Sequence, residues 1–136
     1  METTRVVIDT DILIDLLRNV EETVSFIGEI EEKKIVLSTT IINSFELYQG
    51  AYRSRRREEN VSATRRLLDR LILLTISPRS AEAAGRICAE LEEKGQPIGS
   101  RDALVGAVSL TKGYAITTRN VKHFRRILGL TVIPAP

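Results

Sequence analysis

Cysteine is almost missing from this chain of 136 residues, where Cys88 stands alone. No internal disulfide can form, so a reducing compartment is expected. Histidine is as scarce, with His123 the sole example. A zinc site or a serine triad therefore lacks parts, and His123 reads as a surface residue. No apolar run approaches the ~18 residues of a membrane span. No N-terminal stretch combines a basic start, an apolar core and a small-residue cleavage site. The cytoplasm, with no membrane partner, is the expected location. Repeats, low-complexity tracts and dividing linkers are also lacking, so residues 1–136 are expected to form one domain.

The chain is 43% hydrophobic, enough for a core without staples. Its formal net charge of +2 says little about partners. The distribution says more. Arg53, Arg55, Arg56 and Arg57 cluster, followed by Arg65, Arg66 and Arg70. Arg119, Lys122, His123, Arg125 and Arg126 form a second group. Both are ordinary solvated helix faces unless a chemical centre lies nearby, when they would suit a polyanion.

Arg5-Val6-Val7-Ile8 reads as a buried strand that delivers Asp9 at its end. A short helix follows, then a second over about residues 20–32. Ile35-Val36-Leu37 is a strand, and Ser38, Thr39 and Thr40 supply cap chemistry for a third helix. That helix is expected to bury Ile41, Phe45, Tyr48 and Tyr52. A helix over about 58–71, a strand over 73–76 and a Ser77-capped helix ending at Gly95 come next. From about Arg101 to Lys112 a helix is apolar almost all round, hence buried, with Ser100 as its expected cap and Gly106 allowing close backbone approach. Tyr114 to Thr117 is a strand, 121–128 a short helix and 130–133 a last strand. Strands alternating with helices predict an α/β fold with a mostly parallel sheet of four to five strands.

Several polar residues fall where packing does not call for them. In open α/β sheets ligands bind beyond the C-terminal strand ends. Asp9 lies there, and a carboxylate at such a place is costly unless paired or holding a cation. Capping the next helix is its bland role, but Asp11 can do that too. Asp102 opens the most apolar helix, although a macrodipole role would suit an exposed acid equally well. Glu46 stands beside Phe45, and alone it is an ordinary boundary glutamate. Thr118 and Asn120 follow the fourth strand, with Asn120 also placed to cap the helix after it. Three carboxylates brought together would repel unless a divalent ion neutralised them. An all-oxygen set suits Mg²⁺ or Mn²⁺.

The run Val6-Val7-Ile8-Asp9-Thr10-Asp11 resembles the opening of a PIN domain. So do Pro97-Ile98-Gly99-Ser100-Arg101-Asp102 and the stretch Thr118-Arg119-Asn120-Val121-Lys122-His123-Phe124. Glu46 falls in the helix after the second strand, where that family places its glutamate. Each motif is short, but four in register over nearly the whole chain are specific. The resemblance, strongest to VapC-type toxin ribonucleases, implies a three-layer α/β/α fold. It also implies a metal-dependent endoribonuclease with Asp9, Glu46 and Asp102 as ligands of Mg²⁺ or Mn²⁺. Members of that type are cytoplasmic toxins, usually homodimers, silenced by a cognate antitoxin protein. Many PIN domains carry a fourth acid where Asn120 stands; an amide there weakens any second metal.

In the implied chemistry Asp9 and Asp102 hold the metal, and Glu46 completes its shell or orients a water for in-line attack. Asn120 and Thr118 fix water or a carboxylate. Arg119 and Arg101 either meet the RNA backbone or pair with an acid of the site. Ile12, Leu16, Phe45, Tyr48 and Tyr52 either line an antitoxin groove or pack the core. Two alternatives remain. Asp9-Thr10-Asp11 also resembles the nucleophile motif of haloacid-dehalogenase-type phosphatases, although no lysine or later acidic pair supports it. The domain is otherwise a PIN scaffold that only binds RNA or protein.

Overall fold

The structure is a computed structural model that describes residues 3–136. β1 (Arg5–Ile8) leads into α1 (Thr10–Leu17) and α2 (Glu21–Glu32). β2 (Val36–Thr40) follows, then α3 (Ile41–Arg53) and α4 (Arg57–Asp69). β3 (Ile72–Leu74), α5 (Pro78–Glu93) and α6 (Gly99–Lys112) come next. β4 (Ala115–Thr118), α7 (Val121–Phe124) and β5 (Val132–Pro134) complete the chain.

All five strands are parallel, in the order β3-β2-β1-β4-β5. Parallel pairing needs a crossover after each strand, and the helices fill that need on both faces. Val7 turns to one face, where Ile87 and Leu91 of α5 and Val105 and Val108 of α6 cover it. Ile8 turns to the other, against Ile12, Leu13, Ile27, Ile30 and Leu47. The period-2 alternation of β1 thus serves two cores and yields three layers.

Helix ends follow local chemistry. Thr40 and Asn43 form a reciprocal capping box at the start of α3, and Ser77 and Ser80 one at the start of α5. Gly113 ends α6 in the left-handed conformation. Three expectations are corrected. Ile98, not Ser100, is the cap residue of α6, because Gly99 takes a positive φ that turns the chain into the helix early. Asn120 precedes α7 without a side-chain cap bond, since its amide is engaged elsewhere. At Gly106 the close neighbour is the Ile127 side chain rather than backbone.

The largest correction concerns α3. Its buried face is Asn43, Ser44, Leu47 and Ala51. Phe45 is 62% exposed, and Ile41 and Tyr52 are also exposed. The helix turns a partly polar face inward because that face meets Asp9 and Thr10.

Candidate active site

In this strand order the chain departs in opposite directions from β1 and β4, which are neighbours. A crevice opens at such a switch point, beyond the C-terminal strand ends. β1 delivers Asp9 to it, and β4 delivers Thr118. α3 begins at the end of β2 and brings Glu46 down one turn later. The first turn of α6 brings Arg101 and Asp102.

Asp9, Glu46 and Asp102 converge, although they lie far apart in the sequence. What they meet around is the guanidinium of Arg101. Its Nη2 lies 2.8 Å from Asp9 Oδ1 and 2.6 Å from Glu46 Oε1. Its Nε lies 3.0 Å from Glu46 Oε2, and its Nη1 2.8 Å from Asp102 Oδ1. One planar fork therefore binds four carboxylate oxygens on three elements, the geometry for which arginine is suited.

A shell of amide, hydroxyl and imidazole groups holds the acids in place. Asn43, fully buried, donates through Nδ2 to Asp9 Oδ1 at 3.1 Å and to Thr10 Oγ1 at 2.9 Å. Thr118 Oγ1 donates to Asp9 Oδ2 at 2.7 Å. Thr10 Oγ1 donates to Glu46 Oε1 at 2.5 Å. Asn120 Nδ2 and His123 Nδ1 each sit 2.9 Å from Asp102 Oδ2. Every oxygen of the three carboxylates has a partner, as a buried charge cluster requires.

Burial and charge compete here. Asp9 is only 3% exposed, so its charge depends on those partners. Burial pushes the Glu46 carboxyl up, but the hydrogen bonds from Arg101 and Thr10 outweigh it and hold the group below the ordinary range. Burial works against charge on Arg101, yet Glu46, Asp9 and Asp102 more than compensate and hold it firmly protonated. Asp11 behaves differently. Burial and the Asp9 charge raise its pKa, and its oxygens accept the backbone N–H groups of Ile12 and Arg119.

Arg119 does not share the acidic pocket. Its Nη2 binds Asp15, and its Nε donates to the Pro136 carbonyl at 2.6 Å. Two members of the site escaped sequence reasoning. Asn43 was passed over, and its only signal was its place three residues after Thr40. His123 was read as surface, yet it contacts Asp102.

The donor set suits a hard divalent ion, because three carboxylates from three elements already converge on a cation. Among the described residues, however, no group of His, Cys, Asp and Glu stands as an open cage. The guanidinium holds the centre.

Comparison with known proteins identifies the family. The PIN domain model matches residues 6–129. Ribonuclease VapC2 of Haemophilus influenzae is 32% identical over 124 residues, covering 90% of this chain and 92% of that protein. The tRNA(fMet)-specific endonuclease VapC of Shigella flexneri is 28% identical over 123 residues, again 90% and 92% of the two chains. The crystal structure of DNA-bound VapBC from Salmonella typhimurium superposes with a TM-score of 0.86 at 26% identity, covering 98% of both chains. These matches select the nuclease reading over the phosphatase one. The chain belongs to the PIN-domain family and, within it, to the VapC-type nucleases.

Proposed function

We propose that this chain is a Mg²⁺- or Mn²⁺-dependent endoribonuclease, the toxin of a toxin–antitoxin pair. The observation that carries the reading is the meeting of Asp9, Glu46 and Asp102 around one positive charge at the sheet's switch point. Asp9, Asp102 and Glu46 would hold the ion. When bound it supplies Lewis acidity and lowers the pKa of water beside the phosphate. The remaining work belongs to the chain. Thr118 and Asn43 orient the Asp9 carboxylate, and Asn120 and His123 orient that of Asp102. Glu46, with 29% of its side chain exposed, would complete the shell of the ion or orient the attacking water. Asn120 adds no negative charge, so the pocket favours one tightly held ion.

RNA as the substrate rests on the ribonuclease relatives. An antitoxin partner rests on the VapBC complex that the fold matches. A groove of about 270 Å³ runs between α1, α3 and α4, lined by Ile14, Leu17, Leu47 and Ala51 and also by Glu46. It suits an apolar segment of such a partner. The residues expected to line an antitoxin groove do not border this one: Ile12 lies in the core, Leu16 packs against it, and Phe45 and Tyr52 are exposed elsewhere on the surface. The exposed face of Ile41, Phe45 and Tyr52 is available for a homodimer. Among the described residues no helix is long and apolar enough to cross a membrane.

The test is Asp102→Asn. It keeps volume and the bond from Asn120 by an amide flip, while one ligand charge is lost. Mg²⁺-dependent RNA cleavage should vanish while circular dichroism and the unfolding midpoint stay near native. Full cleavage by that variant would remove Asp102 from the site.

A further inference from the structure

We propose that Arg101 is the resident cation of the carboxylate pocket, exchanged for the divalent ion when the site loads. The inference rests on the nuclease reading above and adds a competitor within the chain itself. Arg101 takes four of the six oxygens offered by Asp9, Glu46 and Asp102. Among the described residues it is the only hydrogen-bond partner of Glu46 Oε2 and Asp102 Oδ1. Each of those oxygens keeps a second lone pair, but the guanidinium nitrogens, 3.0 and 2.8 Å away, fill the place between the acids that an ion would need.

The parts differ in freedom to move. Thr118 fixes the Asp9 carboxylate at Oδ2, the oxygen Arg101 does not touch, and Asn43 shares Oδ1 with Arg101; Asn120 and His123 fix the Asp102 carboxylate at Oδ2. These acids need not move to accept an ion. Among the described residues the Arg101 side chain is hydrogen-bonded only to the acids and Thr10, and 34% of it reaches solvent. Its long stem springs from the first turn of α6 at the rim of the pocket. Departure of the guanidinium costs its four carboxylate contacts and the one to Thr10.

Charge favours the exchange. Three carboxylates against one guanidinium leave two negative charges uncompensated. A divalent ion in its place leaves one. The apparent ion affinity equals the intrinsic affinity reduced by the fraction of molecules in which Arg101 has left. Linkage is reciprocal, so any anion that draws the guanidinium outward tightens ion binding in the same proportion. A phosphodiester is such an anion, and arginine pairs with it in a bidentate way. Ion and nucleic acid then load together rather than independently. The pocket without substrate keeps its own neutralising charge.

The test is calorimetric titration of the full chain with Mn²⁺ alone, in native, Arg101→Ala and Arg101→Lys forms. Removing the competitor should tighten Mn²⁺ binding by about ten-fold or more in Arg101→Ala. The lysine form retains charge but not the fork, so its affinity should fall between. Added guanidinium chloride, kept well below unfolding concentrations, should weaken Mn²⁺ binding to the alanine form by refilling the vacated place. It should leave the native chain largely unaffected. A folded Arg101→Ala with native or weaker Mn²⁺ affinity overturns the exchange. If the alanine form does not fold, native affinity in a folded lysine form does the same. Equal binding by all forms sinks the exchange but spares the metal-nuclease reading. No binding by any form sinks both.

Discussion

Two arginines flank the end of β1, and they do different work. Arg101 faces three carboxylates in a half-buried crevice. Arg119 faces one, Asp15, and adds bonds to Thr23 and the Pro136 carbonyl. The Arg119 cluster is balanced in charge and ties the end of β4 to α1, α2 and the C-terminus. It is a clasp. The Arg101 cluster carries more acid than base, and its acids are held by a dedicated shell of amides and hydroxyls. A structural ion pair needs no such excess. Surplus negative charge with fixed geometry is what a cation site requires.

The comparison breaks first at Asp9. Asp9→Asn should reduce divalent-dependent cleavage beyond the roughly 10–100-fold typical of outer partners of a metal site. A cleavage assay over a range of Mn²⁺ concentrations reads this, and near-native rates would make both clusters merely structural. Next comes Asn43→Ala. It strips Asp9 of a buried donor and should lower stability by about 1–3 kcal/mol in urea unfolding. Mn²⁺ affinity should fall with it. Arg119→Ala sharpens the contrast from the other side. A partly exposed pair should cost no more than about 1 kcal/mol, and Mn²⁺ affinity should stay native.

The smallest effect is one of pH. The Arg119 hydrogen bond holds the Asp15 carboxyl below its ordinary 3.8. A depressed carboxylate adds stability above its unfolded pKa and loses it as pH falls through the lower folded value. Unfolding midpoints measured from roughly pH 4 downward should therefore fall less steeply in Arg119→Ala than in the native chain. An unchanged slope would remove Asp15 from the clasp.

Much of this was legible in the sequence because strand and helix periods differ. Val6-Val7-Ile8 announced a strand buried on both faces, and the acid after it fell on the ligand edge of the sheet. Asp102 stood out against an apolar helix. The orientation of α3 was not legible. Ile41, Phe45, Tyr48 and Tyr52 formed the more hydrophobic stripe, and hydrophobicity alone sends such a stripe inward. The inward face instead carries Asn43 and Ser44 beside Leu47 and Ala51, because this helix meets a polar crevice. Periodicity cannot separate a core stripe from an interaction stripe when the helix also serves a site. The sequence left the role of Arg101 open between RNA backbone and an acid of the site, and it hid that of His123, for another reason. Arg101 reaches Asp9 across 92 positions and His123 reaches Asp102 across 21, and no local pattern encodes such meetings.

Titration of the native chain and of Asp9→Asn with Mn²⁺, followed by heat, weighs the main idea without any substrate. One saturable site in the native chain, gone in the variant, is the predicted result. An identical site in both would place the ion elsewhere and leave the three acids as a salt-bridge cluster around Arg101.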